Sequence, residues 1–150
     1  MSKLILLDSG PLGLVSHPKA SRAAESCRAW VRSQEAQGHL IVVSEIADYE
    51  VRRELLRARK LAGLARLDLV NSQLSYMSIT TSVMRRAAEL WAQARQMGKP
   101  TADDQSLDAD VILAAQALLL IDGGDEVIVA TTNPKHLSLF VPAMRWQDIV

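Results

Sequence analysis

The residues best suited to chemistry are acids standing at the ends of apolar segments. Asp8 closes the run Leu4-Ile5-Leu6-Leu7, and Glu50 lies a short way beyond Ile41-Val42-Val43-Ser44. Asp108 and Asp110 open the apolar run from Val111 to Ile121, while Val127-Ile128-Val129-Ala130 ends in Thr131-Thr132-Asn133. A parallel sheet brings such positions together, because ligands gather outside the carboxyl ends of its strands. Converging carboxylates repel: two unit charges about 5 Å apart cost roughly 3 kcal/mol at an effective dielectric near 20. A hard divalent cation offsets that repulsion, so convergent acids at these positions point to a magnesium or manganese site.

Each acid also has a local explanation. Asp8 before Ser9-Gly10-Pro11 is a turn former. Glu50 falls on a helical segment one turn before Glu54, where a solvated glutamate is ordinary. Glu45, nearer the start of that segment, is accounted for by the helix dipole. Asp108 and Asp110 follow Ser106 in a first helical turn, where capping explains acids well. With Asp103 and Asp104 they make four acids in eight residues, more than one cap needs. Asp110 falls close to the stripe of Leu107 and Ala114, and Asp108 nearer its edge. Asn133 fits a turn before Pro134, and as a neutral oxygen donor it also suits a metal-bound water or a phosphate.

The elements that must position these residues read as strands alternating with helices. Lys3–Leu7, His39–Val43 and Glu126–Thr131 are aliphatic strands of the kind buried on both faces, with Tyr76–Thr80 and the tail Ala143–Val150 as weaker candidates. Ser9-Gly10-Pro11 and His17-Pro18 read as breaks. Lys19–Gln37 is helical, with Ala23, Cys27, Trp30 and Val31 on one face and Gly38 as its stop. Ser44 is placed to cap a helix over Glu45–Leu61, with Gly63 separating it from a further helix over Leu64–Leu74. Thr81 or Ser82 caps a helix to Met97, stopped by Gly98 and Pro100. Thr101–Gln105 reads as an acidic loop, and Ser106 as the cap of the most apolar helix, ending near Gly123-Gly124. The pattern predicts a single α/β domain over residues 1–150 with a mainly parallel sheet.

The bulk numbers narrow the class. The chain has 150 residues, a formal net charge of zero with 17 acids and 17 bases, and one cysteine, Cys27. Zero charge argues against strong non-specific attraction to nucleic acid, although local patches survive a neutral total. One cysteine excludes an intrachain disulfide and a zinc knuckle. The expectation is a cytoplasmic protein without signal peptide or membrane span. Trp30, Trp91 and Trp146 read as core or interface packing.

Taken in order, the blocks resemble the PIN-domain nucleases, and in particular the VapC-type toxins of bacterial toxin–antitoxin pairs. Leu6-Leu7-Asp8-Ser9-Gly10-Pro11 resembles the family's opening strand and first acid. Val43-Ser44-Glu45-Ile46-Ala47-Asp48-Tyr49-Glu50-Val51-Arg52-Arg53-Glu54-Leu55 is similar to its second block, with the acid at Glu50. Asp108-Ala109-Asp110-Val111-Ile112-Leu113-Ala114-Ala115-Gln116-Ala117 is similar to the third, with the acid at Asp110 and Asp108 beside it. Ala130-Thr131-Thr132-Asn133-Pro134-Lys135-His136-Leu137 resembles the last, with Asn133 where many relatives carry Asp. The stretch with Asp122-Gly123-Gly124-Asp125 reads as a loop extension between the third and fourth blocks.

The resemblance implies a three-layer α/β/α domain and a metal-dependent endoribonuclease that cleaves RNA, with Mg2+ (or Mn2+ as substitute) held by Asp8 and Asp110. It implies Glu50 as a water-mediated ligand or orienter of the nucleophile, with Asp108 and Asn133 completing the catalytic set. Ser9, Thr132 and Lys135 are then the substrate contacts. A small antitoxin protein threading a groove near the site, and a homodimer, are the implied partners. The basic stripe Arg52, Arg53, Arg57, Arg59 and Lys60 reads as a solvated face or as an RNA guide. The alternatives are a non-toxin PIN nuclease of RNA processing and a catalytically silent binding module whose acids only cap helices. A receiver-like phosphoacceptor fits less well, since the paired acids and late-strand lysine it requires are missing.

Overall fold

The computed structural model describes residues 2–98 and 104–150, with the backbone alone for 104–106. The aliphatic runs become β1 (Leu4–Leu7), β2 (Leu40–Ser44) and β4 (Val127–Thr131), and the weaker candidates become β3 (Ser75–Met77) and β5 (Ala143–Arg145). They form a five-stranded sheet in the order β3-β2-β1-β4-β5 with every pairing parallel. Among the described residues six helices flank it: α1 (Ser9–Val15), α2 (Arg22–Ala36), α3 (Glu45–Arg57), α4 (Leu61–Gln73), α5 (Thr81–Gln96) and α6 (Asp104–Asp122).

Strand alternation sorts the core into two layers. Ile5 and Leu7 pack with Leu12 and Val15 of α1, Cys27 and Val31 of α2, and Leu67 and Val70 of α4. Leu6 turns the other way, towards Val83 and Leu90 of α5 and Leu107, Val111 and Ala114 of α6. Ile5, Leu6 and Leu7 are fully buried, so each contributes roughly 1.5–3 kcal/mol and β1 becomes the spine of the molecule. The chain moves from β1 outward to β3, then returns past β1 to β4. Right-handed crossovers then require α5 and α6 to cover the opposite face. The reversal opens a crevice between the carboxyl ends of β1 and β4.

Several local expectations are corrected. Ser9-Gly10-Pro11 is not a break but the first turn of α1, with Asp8 as its N-cap; proline is tolerated there because its missing N–H would have no helical partner. On α2 it is Ala24, not Ala23, that shares the buried face with Cys27 and Val31. Ser44 sits at the N-cap of α3 but makes no capping bond; its hydroxyl donates instead to the Leu7 carbonyl at 2.9 Å. The α3–α4 break is at Arg59, whose φ of 55° is left-handed, and not at Gly63. Gly63 lies inside α4, where a Cβ would come within 2.8 Å of Leu55 Cδ2, so it serves close helix packing. Thr80, one residue before the expected caps, accepts from the Val83 amide to start α5.

The last helix begins at Asp104, so Asp104 and Gln105 are helical rather than loop, and Ser106 is not its cap. Pro100 and Thr101 to Asp103, with the remainder of the expected acidic loop, lie outside the described residues. Residues 123–126 are a short turn into β4 with Gly124 at a φ of 101°, not a loop extension. Trp146 is buried and pairs with Trp30 at 5.8 Å between ring centroids, as packing predicts, whereas Trp91 is exposed beneath Arg95. Among the described residues no helix is long and apolar enough to cross a membrane.

Candidate active site

Register brings Asp8 to the crevice. Leu7 pairs with Ala130, so the next step along both strands sets Asp8 beside Thr131. The Asp8 amide donates to the Ala130 carbonyl at 2.9 Å, extending the ladder by one bond. Its carboxylate is held at both oxygens: Oδ1 accepts from the Ser9 amide at 2.7 Å, and Oδ2 accepts from Thr131 Oγ1 at 2.8 Å. Burial raises the Asp8 pKa; the Ser9 amide, the Thr131 hydroxyl and the Ser9 hydroxyl pull it back only in part. Removing a carboxylate from water disfavours its charged form, while hydrogen bonds to that form favour it.

Glu50 and Asp110 reach the same place from other elements. Glu50, on α3, has its pKa pushed up to about 7, by burial first and then by the neighbouring charge of Asp8. Arg53 offsets part of this, and Asp110 adds to it. Asp110, on α6, is pushed up to about 6, by burial and then by Asp8. The three acids therefore behave as one electrostatic unit. Among the described residues none of them has an ion-pair partner; Arg52 instead pairs with Asp48 and Asp68, Arg57 with Glu54, and Arg86 with Asp122.

This donor set fits a hard divalent cation. Carboxylate and hydroxyl oxygens are what magnesium prefers, and it keeps several of its waters, so two protein ligands suffice. Among the described residues no three His, Cys, Asp or Glu side chains stand together as a ready-made metal cluster.

The other expected residues lie around this unit. Asp108 is exposed and enters none of these interactions. Asn133 is exposed; its amide donates to Thr131 Oγ1 at 3.1 Å, and its Oδ1 accepts from the Lys135 amide at 3.4 Å. Thr132 is also exposed and packs so closely on α1 that a Cβ at Gly10 would lie 2.5 Å from Thr132 Cγ2. Only glycine allows that approach. Lys135 is exposed at the rim. Thr131 is the residue that sequence reasoning passed over, and extending the β1–β4 register by one residue finds it.

From Ser9 and Glu50 a groove of ≈ 850 Å³ runs between α1 and the α3–α4 pair. Gly13, Val51, Leu55 and Ala62 give it an apolar lining, and Lys19, Arg53, Arg57 and Lys60 make it basic. The expected basic stripe is thus divided, with Arg52 committed to Asp48 and Asp68 while Arg53, Lys60 and Arg57, the last paired with Glu54, line the groove.

With this geometry in view, the comparisons with known proteins agree. The PIN domain model matches residues 5–131, and the chain belongs to the PIN domain family, whose members are typically nucleases. No curated protein sequence matches it. Among solved structures it is similar to a chain of VapBC2 from Rickettsia felis bound to a DNA fragment from its promoter. That match has 15% identity, a TM-score of 0.69, and covers 95% of this chain and 98% of the other. VapBC-1 from nontypeable Haemophilus influenzae matches at 12% identity and a TM-score of 0.70, covering 97% and 99% of the two chains. FitAcB from Neisseria gonorrhoeae matches at 20% and 0.63, with the same coverage. At such identities the likeness speaks to the fold.

Proposed function

We propose that this protein is a metal-dependent endoribonuclease and the toxin of a VapBC-type toxin–antitoxin pair. The observation that carries the reading is the joining of Asp8, Glu50 and Asp110 into one unit of raised pKa with no ion-pair partner among the described residues. Asp8 and Asp110 are the residues to hold Mg2+, which when bound polarises the phosphate and acidifies an attacking water. Asp8 is kept in one orientation by Ser9 and Thr131. Glu50, with its pKa near neutrality, is suited to take a proton from the nucleophile. Ser9, Thr132, Asn133 and Lys135 are the residues this reading assigns to contact with the phosphate, with Asp108 as a supporting charge outside the reacting set.

The groove beginning at Ser9 and Glu50 supports an antitoxin partner, because a segment filling it would end against the acids. Exposed Tyr49 and Leu56, seven residues apart on α3, and Met84 and Trp91, likewise on α5, support a homodimer. The deciding experiment incubates the protein with a panel of RNAs in Mg2+, in Mn2+ and in chelator, beside Asp8→Asn and Asp110→Asn. Cleavage that needs the metal and is lost in both variants is expected. Cleavage in chelator, or equal cleavage by the variants, would overturn the mechanism. No cleavage of any RNA would favour a silent binding module.

A further inference from the structure

Away from the acids, α2 and α4 leave a second cleft of ≈ 340 Å³ between them. Three guanidinium groups share it: Arg28 and Arg32, one turn apart on α2, and Arg66 on α4. Glu35 is the single acid in its lining, so positive charge is in excess. Among the described residues none of the three arginines makes an ion pair. Arg28 is fixed in place, its Nε donating to the Val15 carbonyl at 3.3 Å and its Nη2 to the His17 carbonyl. Arg66 Nε is buried and has no hydrogen-bond partner among the described residues. An unmatched buried donor is costly, more so on a charged group, so an acceptor reaching it from the cleft would be favoured.

We propose that this cleft binds the phosphodiester backbone of the RNA substrate, as an affinity site separate from the site of cleavage; the proposal rests on the ribonuclease reading. Guanidinium forks match phosphate oxygens in geometry as well as charge. Arg28 and Arg32 stand about 6 Å apart along the helix axis, a spacing suited to neighbouring phosphates of an extended strand. No aromatic or histidine side chain lines the cleft, so it offers no stacking platform, and its contact is with backbone rather than sequence. The cleft and the acid-headed groove share a wall: α4 contributes Ala62 and Gly63 to the groove, and Arg66 and Val70 to the cleft. Those positions span roughly 10 Å of helix, a distance that a few nucleotides of extended strand cover.

The test is fluorescence anisotropy of labelled single-stranded RNAs of unrelated sequence, titrated with the full-length protein in chelator over a range of salt. The parent is compared with Arg32→Ala, whose exposed side chain leaves the fold intact, and with Arg66→Gln. Each variant is expected to bind about 3- to 10-fold more weakly at low salt, equally for all sequences. The slope of log affinity against log salt should fall by about 0.7 per charge removed. Cut positions, and the rate at saturating RNA, should not change. Unchanged RNA affinity in both variants, with a parent that binds, overturns the proposal. So does a poly-glutamate peptide whose binding is lost in the variants while RNA binding is kept, since the cleft then serves an acidic protein segment. A parent that binds no RNA removes the underlying reading, and the parent alone reveals it.

Discussion

At the scale of single residues, Asp8 and Thr131 are one device. The Thr131 hydroxyl donates to Asp8 and also accepts from the Asn133 amide, so it fixes the acid and the loop after β4 together. Partners of this kind behind a metal ligand typically matter by 10- to 100-fold in affinity. Thr131→Val, nearly isosteric, should therefore weaken Mn2+ binding about 10-fold by titration calorimetry while leaving the fold unchanged; undiminished affinity would show that Thr131 does not position Asp8. Glu50 gives a prediction in pH. Its folded pKa, about 7, exceeds the ordinary value of 4.5, so the metal-free fold binds this proton more tightly than the unfolded chain does. That contribution is complete below pH 4.5, is lost as pH rises through about 7, and is absent above. Glu50→Gln in chelator should match the parent in melting temperature near pH 4.5. At pH 8 it should exceed the parent by about 2–8 °C, from roughly 1–3 kcal/mol of relieved desolvation and repulsion. Curves that stay parallel across the range would contradict it. Asp8 and the Asp108–Asp110 pair were legible because carboxylates at segment ends stand out against aliphatic neighbours, whereas Glu50, set among charged helical neighbours, was singled out from them only by the family resemblance. Thr131 was not, because which of two adjacent threonines faces the acid depends on strand register, and register is a property of the pairing.

At the scale of elements, α3 is secured on the side away from the acids. Asp48 accepts from Arg52 at 3.0 Å, from Asn71 of α4 at 3.1 Å and from the Tyr76 hydroxyl of β3 at 2.8 Å. Arg52 also reaches Asp68 of α4 at 2.8 Å. Two residues along a helix project about 200° apart, so the face carrying Asp48 is opposite the one carrying Glu50. Asp48→Ala should destabilise the protein by about 1–3 kcal/mol in urea denaturation, and Tyr76→Phe by about 1 kcal/mol. The double variant should lose less than the sum, because the two share one bond; strict additivity would mean that bond contributes nothing. The strands, α2, α5 and most of α6 could be read from periodicity and caps. The first helix could not, since Ser-Gly-Pro is turn chemistry in isolation and becomes helical once Asp8 caps it and Leu12 and Val15 find the core. The α3–α4 break hid for the converse reason: an arginine carries the left-handed turn, while the nearby glycine is spent on helix contact.

At the scale of the whole molecule, strand order β3-β2-β1-β4-β5 converts distant sequence positions into one site. Residues 8, 50, 110 and 131 meet because the chain reverses direction across the sheet between β1 and β4. The net charge of zero conceals a separation, with acids at the sheet's carboxyl end that have no ion-pair partner among the described residues and arginines gathered between α2 and α4. A ligand that binds the folded state alone stabilises it by mass action, by about 2.7 kcal/mol at a hundredfold excess over its Kd. Saturating Mn2+ should accordingly raise the parent's melting temperature by several degrees at pH 7.5 and leave Asp8→Asn with Asp110→Asn unmoved. An equal rise in that double variant would place the ion elsewhere.

The first helix has one more consequence. It is seven residues long, the acid that caps it is also the foremost metal candidate, and its flank forms one wall of the groove. A helix so short has little freedom to shift without turning its own cap, so the expected outcome is that occupancy of the groove and occupancy of the proposed ion site are thermodynamically linked. Linkage is reciprocal: whatever factor a groove-filling segment applies to Mn2+ affinity, Mn2+ applies to that segment. Inhibition by a partner would then extend beyond blocking access, because the partner would alter the hold on the ion from behind. Measuring Mn2+ affinity with and without a bound segment that stops short of the acids, and finding the two equal, would show the wall and the ion site to be independent.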